Sequence, residues 1–283
     1  MKGFLLVDKP SGISSFDVIR KLRKILEVKK MGHAGTLDPL ASGLLVVAVG
    51  EGTKLLEYFI GMDKVYEVEA HFGAVSDSFD ADGVISKVSD KEVSLDEIKK
   101  VIDAKFVGEI EQVPPKYSAL KINGKKAYEM ARAGEDFEMK SRRVMIDSFE
   151  IIDYQWPLVS FRVACGSGTY IRSLIHDLGG SLGLGAYVSK LRRISVGKFL
   201  VQDAVDLDAE AGAFDQKIVS LKEVLDGMPA LNLDSDDVIG LSDGKILVGK
   251  KVDHDFVFAF YEGKLLGVLE NFGDGIKFKK VIK

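Results

Sequence analysis

Residues 32–49 read Gly32-His33-Ala34-Gly35-Thr36-Leu37-Asp38-Pro39-Leu40-Ala41-Ser42-Gly43-Leu44-Leu45-Val46-Val47-Ala48-Val49. The last six form a continuous apolar run, the pattern of a strand buried on both faces. The twelve before it are small and glycine-rich, which makes a loop whose backbone can approach a ligand closely. Pro39 pushes Asp38 toward extended backbone. A lone carboxylate is thereby fixed at the mouth of a core strand. Ionised beside an arginine, it has the chemistry of a nucleophile or a base. An Asp-Pro step in such a loop is also an ordinary turn, so the rest of the chain must decide between the two.

Working outward, Phe4–Val7 is an apolar run that ends in the turn Asp8-Lys9-Pro10-Ser11-Gly12. Ser14 or Ser15 caps a helix from about Phe16, with Val18, Leu22, Ile25 and Leu26 at helical spacing. Tyr66, Val68, Ala70 and Phe72 alternate with polar residues, which predicts a strand. Residues 75–92 are polar and acidic, a loop or hairpin. Leu95–Phe106 predicts a helix capped by Ser94. Strands are expected at Val144–Ile152, Val159–Cys165 and Val196–Val201, a helix at Ile171–Leu178, and helical structure over Asp203–Asp226. Beyond Pro229, short apolar runs separated by glycine turns predict a small β-barrel. The fold class is therefore α+β, with one domain over 1–228 and a small one over 229–283.

The net charge of −4 speaks against a polyanionic partner until its distribution is considered. Residues 1–60 carry an excess of three positive charges and residues 115–200 an excess of six, while the stretches between and after them are acidic. Local potential decides where a phosphate backbone settles. Residues 116–143 interleave Tyr117, Tyr128 and Met130 with lysines and arginines. Lys21, Arg23, Lys24, Lys29, Lys30, Lys121, Lys125, Lys126, Arg142 and Arg143 are the candidate phosphate contacts. The single cysteine, Cys165, excludes an internal disulfide, and the four scattered histidines have no zinc spacing. The apolar start is too short for a signal-peptide core, and no run approaches a membrane span. A soluble, cytoplasmic protein is expected.

Dinucleotide, P-loop and serine-hydrolase fingerprints are all missing. A second cluster remains, Gly168-Thr169-Tyr170-Ile171-Arg172, in which Arg172 has the chemistry to neutralise a carboxylate or a phosphate. Arg172 read locally is equally an exposed helix arginine, and Tyr66 equally a plain core aromatic.

The joint order of these segments is more specific than any one of them. Asp8-Lys9-Pro10-x-Gly12-x-Ser14-Ser15, then Gly32-His33-x-Gly35-Thr36-Leu37-Asp38-Pro39-x-Ala41-x-Gly43, Lys64-x-Tyr66, Gly168-Thr169-Tyr170-Ile171-Arg172 and Leu191-Arg192-Arg193 resemble the bacterial tRNA pseudouridine synthases of TruB type, which modify uridine 55. The resemblance implies the pseudouridine synthase fold: a mixed, mostly antiparallel sheet with flanking helices, and a C-terminal β-barrel of PUA type. It implies that residues 116–143 are the inserted RNA-gripping segment. By the same resemblance Asp38 is the essential carboxylate, Arg172 the arginine that pairs with it, and Tyr66 the aromatic that stacks on a flipped uracil. Leu191 forms an apolar wall, Tyr170 helps to line the site, and His33 fills space vacated by flipped T-loop bases. Lys9 and Pro10 match the turn that supports the active loop, and Lys9 is counted with the substrate-binding residues. The partner is the tRNA T arm. The implied reaction needs no metal or cofactor, no protein partner is implied, and a monomer is expected.

Extruding a base costs a few kcal/mol, and aromatic stacking returns about 1–3 kcal/mol per base. Two other readings stay open at this level: a uridine-isomerising enzyme of ribosomal RNA, and an RNA-binding or RNA-folding module without catalysis.

Overall fold

The computed structural model describes residues 2–242 and 244–282. Its main element is a ten-stranded sheet. Along the principal path the order is Val205–Asp206, Gly3–Lys9, Ser42–Val49, Ala186–Val196, Lys64–Phe72, Leu158–Cys165, Arg142–Gln155 and Gly108–Gln112. Two of these pairings are parallel, Gly3–Lys9 with Val205–Asp206 and Ser42–Val49 with Ala186–Val196. The others on the path are antiparallel. The sheet is thus mixed and mostly antiparallel, as expected.

The Ser42–Val49 strand is buried on both faces, and its two faces serve different cores. Leu45, Val47 and Val49 pack with Val18, Ile19 and Leu22 of the Ser15–Ile25 helix. Leu44, Val46 and Ala48 pack with Leu55, Phe59 and, from the chain's far end, Phe258, Phe260 and Val268. A third core joins Tyr66, Val68 and Phe161 of the sheet to Ile98 and Ile102 of one helix and Leu174 and Leu178 of another. Ser14 and Ser94 each accept the amide of the residue three positions on, and Asp17 and Glu97 return the bond, so both helices begin in capping boxes.

The C-terminal residues form a five-stranded sheet in the order Ala230–Asn232, Val257–Tyr261, Lys264–Phe272, Gly275–Val281, Leu247–Val248. Its two end strands are not paired with each other among the described residues, so this barrel-like unit is open on one side.

Two expectations shift. The strand placed at Val196–Val201 lies earlier and is longer, Ala186–Val196, followed by the short Phe199–Leu200. Lys190, Arg192 and Arg193 hide it by breaking the apolar pattern. The helical stretch expected over Asp203–Asp226 resolves into a two-residue strand and the short helices Ala211–Gln216 and Leu221–Val224.

Candidate active site

The Asp38 loop is held by the turn that precedes the first helix. The Ser15 hydroxyl donates to the Leu37 carbonyl (3.1 Å) and accepts the Leu37 amide (2.8 Å). The Gly12 amide donates to the Pro39 carbonyl at 2.7 Å, and the Ser11 hydroxyl to the Leu40 carbonyl at 2.7 Å. The Lys9 ammonium donates to the carbonyls of Ile13 (2.7 Å), Pro10 (2.9 Å) and Pro39 (3.4 Å). Gly43 closes the loop at φ +99°, and a Cβ there would stand 2.3 Å from the Arg193 carbonyl oxygen. No other residue fits that position.

This scaffold delivers Asp38 to Arg172. Arg172 Nε lies 2.9 Å from Asp38 Oδ2, a close ion pair without the alignment of a linear hydrogen bond. Arg172 stands in the first turn of the Ile171–Ser181 helix and is buried. Its remaining nitrogens are committed: Nη1 to Asp80 Oδ2 (3.0 Å) and the Ser78 carbonyl (2.9 Å), Nη2 to the Tyr117 carbonyl (2.9 Å). One guanidinium therefore serves two carboxylates. Asp80 is buried and also accepts from the Ser78 hydroxyl (2.5 Å) and the Asp82 amide (3.1 Å). Its neighbour Phe79 adopts φ +65° and stacks on His176 at 3.8 Å between ring centroids. Asp38 differs from Asp80 in that 35% of its side-chain surface is open, against 5%. Burial raises the Asp38 carboxyl above the ordinary carboxylate value. Arg172 opposes that rise, and the Asp80 charge adds to it.

The carboxylate opens into a cavity of about 400 Å³. Tyr66, Leu191, Tyr170, His33, Arg142, Lys64 and Arg193 are among its lining residues. Tyr66 and Leu191 come from neighbouring strands and are both buried. Burial pushes the Tyr66 phenol up, while Arg193 pulls it down. His33 is lowered by burial and by Arg193, which favours the neutral imidazole. The Arg142 guanidinium lies 4.6 Å from the centre of the Tyr170 ring and donates to the Gly168 carbonyl. The Tyr170 backbone is fixed by Gln112, whose side chain accepts its amide (2.8 Å) and donates to its carbonyl (3.0 Å). An adjoining cavity of about 760 Å³ shares Asp38, His33 and Arg172, and runs between Phe16 and the Lys126–Tyr128–Arg132 cluster.

Two residues expected to contact substrate do not line either cavity. Lys9 is wholly buried beneath the loop, its ammonium spent on three carbonyls. Arg143 alternates to the other side of its strand from Arg142, is exposed, and pairs with Glu109 at 3.1 Å. Conversely, Lys64 lines the cavity and Asp80 and Gln112 brace its residues without having been expected there, while Arg193, in sequence only a weak candidate for phosphate contact, lines the cavity as well. For Lys64 a signal existed: two residues from Tyr66 on a strand, it must share that residue's face. No metal-binding cluster of His, Cys, Asp or Glu occurs among the described residues.

Comparison with known proteins points to one family. Residues 23–171 match the TruB family pseudouridylate synthase N-terminal domain, and residues 172–232 the tRNA pseudouridylate synthase B C-terminal domain. The chain is 40% identical over 273 residues to a tRNA pseudouridine synthase B of Clostridium kluyveri, covering 95% of this chain and 91% of the relative. It is 37% identical to the Clostridium novyi protein of that name, over 100% of both chains. Among solved structures, a Cbf5-Nop10-Gar1 complex contains a chain 26% identical with a TM-score of 0.76, covering 99% of this chain and 85% of that one. An H/ACA RNP bound to a substrate RNA shares the fold at 24% identity with a TM-score of 0.76, over 99% of this chain and 85% of its own. With its fold, its family domains and its relatives in agreement, the chain belongs to the TruB family of pseudouridylate synthases, isomerases that act on tRNA.

Proposed function

We propose that the chain isomerises uridine 55 in the T loop of tRNA, with Asp38 as the reacting carboxylate. The supporting observation is the Asp38–Arg172 ion pair at the wall of a cavity lined by Tyr66. The target uridine swings out of the folded loop and enters this cavity. Tyr66 stacks on the uracil and Leu191 packs against it. Arg172, restrained by Asp80 and two carbonyls, holds the Asp38 oxygen toward the bond that must break. Addition to the ring and addition to C1′ both start from the ionised carboxylate. The isomerisation breaks N1–C1′ and forms C5–C1′ with no redox change, and the chain's own residues carry it without a cofactor.

Tyr170 and Arg142 shape the entrance, and His33 stands where displaced loop bases leave space. Lys9 acts through the loop it supports. Residues 1–228 form the catalytic unit, with 116–143 gripping the RNA, and residues 229–283 form a PUA-like unit that extends the RNA contact. The enzyme works as a cytoplasmic monomer without a protein partner.

The test is a set of separate transcripts, a T-arm stem-loop and ribosomal RNA fragments, incubated with the protein and mapped by mass after uridine-specific derivatisation. One pseudouridine at the T-loop position, and none in ribosomal RNA, is expected. Conversion of ribosomal RNA alone would refute the assignment.

A further inference from the structure

The cationic residues of the cavity outnumber its acids. Asp38 faces Lys64, Arg142, Arg172 and Arg193 there, and Asp80 behind Arg172 is the second carboxylate. Arg172 is accounted for by those two acids, and Arg142 stands at the entrance over Tyr170. Lys64 and Arg193 are different. Both are buried, at 7% and 1% exposure, yet neither has a carboxylate partner among the described residues. Lys64 Nζ donates to the carbonyls of Ile60 (2.8 Å) and Met62, two of its three N–H donors. Arg193 donates through Nε to the Leu44 carbonyl (2.7 Å) and through Nη2 to the Gly35 carbonyl (3.2 Å), two of its five N–H donors. Arg193 also bonds the Tyr66 phenol, the surface on which the base would stack, and holding a cation out of water without a carboxylate is costly. Burial accordingly draws the Lys64 ammonium down to about 8.

Their position shows what this uncompensated charge faces. Arg193 is the direct cross-strand partner of Tyr66, and Lys64 stands two residues before Tyr66 on the same face of its strand. Leu191 stands two residues before Arg193. The four side chains form one patch of the sheet beneath the cavity, aromatic and apolar positions flanked by the two cations. A uracil stacked on Tyr66 therefore has its edge beside them.

We propose that Lys64 and Arg193 are catalytic residues that take up the negative charge arising on the uracil ring when N1–C1′ breaks. The inference rests on the proposed function above. The electron pair of N1–C1′ stays with the ring, delocalised over N1 and the two carbonyl oxygens. The electron-poor C1′ is met by the Asp38 carboxylate. After the ring turns, a ring electron pair forms C5–C1′ as the Asp38 oxygen leaves C1′ as a free carboxylate; C5 then gives its proton to solvent water and N1 takes one from it, so atoms and charge balance. Fixed cations at a developing anion, in a site with little water, are among the strongest catalytic devices available to a protein.

The experiment compares single-turnover conversion of two T-arm stem-loops, one with uridine and one with 4-thiouridine at the target position. The thiocarbonyl ring is more acidic and carries its own negative charge better. Lys64→Met is expected to slow the uridine substrate by about 100-fold and the 4-thiouridine substrate by at most about 10-fold, with RNA affinity within about twofold of wild type. Lys64→Arg keeps the charge and is expected to stay within about threefold of wild type on both. Lys64→Gln is expected to show the same substrate-dependent loss, and it serves if the methionine variant does not fold. Equal slowing on both substrates, or no slowing, would overturn the assignment while leaving the proposed function intact. A wild-type protein that leaves the uridine hairpin unchanged would overturn the proposed function and this inference with it.

Discussion

The two ends of the candidate site handle buried charge in opposite ways. At one end, two carboxylates and two carbonyls share the Arg172 guanidinium. At the other, Lys64 and Arg193 donate to backbone carbonyls and have no carboxylate within ion-pair distance among the described residues, and Arg193 also acts on the Tyr66 phenol. Charge answered by charge gives a rigid geometry, because removing either partner strands the other in a poorly solvated place. Charge answered by carbonyls leaves a field that a substrate can use. The first end sets where Asp38 points, and the second sets what the cavity attracts.

The acidic end breaks most severely through Arg172→Met. The substitution leaves Asp38 and Asp80 without their cation and two carbonyls without a donor. A loss of about 3–5 kcal/mol in urea unfolding is expected. Single-turnover conversion is expected to fall by about 100-fold or more, because the Asp38 carboxyl, already raised by burial, loses the main influence that lowers it.

Asp80→Asn sharpens the same contrast with a smaller effect. A drop of about tenfold at neutral pH is expected from a looser Arg172. The sign of the pH change is diagnostic. Activity requires ionised Asp38 and is lost as pH falls through its raised pKa. The Asp80 charge contributes to that rise, so the acid limb of the rate profile should move to lower pH in Asp80→Asn. A shift to higher pH would contradict the electrostatic account.

The smallest effects belong to the entrance. Arg142→Ala is expected to reduce the slope of log affinity against log salt by about one, the loss of a phosphate contact. Arg143→Ala is expected to leave it unchanged, since Arg143 points away from the cavity and pairs with Glu109. Equal losses from the two would show that the cavity is not where the backbone binds.

How much of this was legible beforehand follows a physical divide. The Ser42–Val49 strand could be read because both its faces are apolar, and two cores do meet on it. The Asp38 loop and Arg172 were legible together because residue types and spacing repeat a family pattern over much of the chain. Asp80 was not, because it lies in a polar stretch whose conformation depends on a left-handed Phe79 and a stack on His176. The Ala186–Val196 strand escaped because its buried residues include Arg193, a cation that reads as a surface residue until the fold supplies its carbonyl partners. Lys9 is hidden in the same way: a lysine in a Lys-Pro turn, it is wholly buried with its ammonium bonded to three carbonyls. Sequence patterns assume that charges face water, and this site is built from charges that do not.

The central claim is that the ionised Asp38 oxygen is the group that reacts, while the other residues of the cavity bind, orient and take up charge. Asp38→Asn tests it most directly, measured beside wild type for conversion of a T-arm stem-loop, RNA affinity and melting temperature. Because burial raises the Asp38 pKa, the stability linked to its proton is full below the ordinary carboxylate value and lost as pH rises through the folded value. Ionised Asp38 is therefore a cost at neutral pH, and Asp38→Asn should melt no lower than wild type. The account predicts conversion reduced by at least about 1000-fold with affinity unchanged, whereas conversion at a near-normal rate by Asp38→Asn would contradict it.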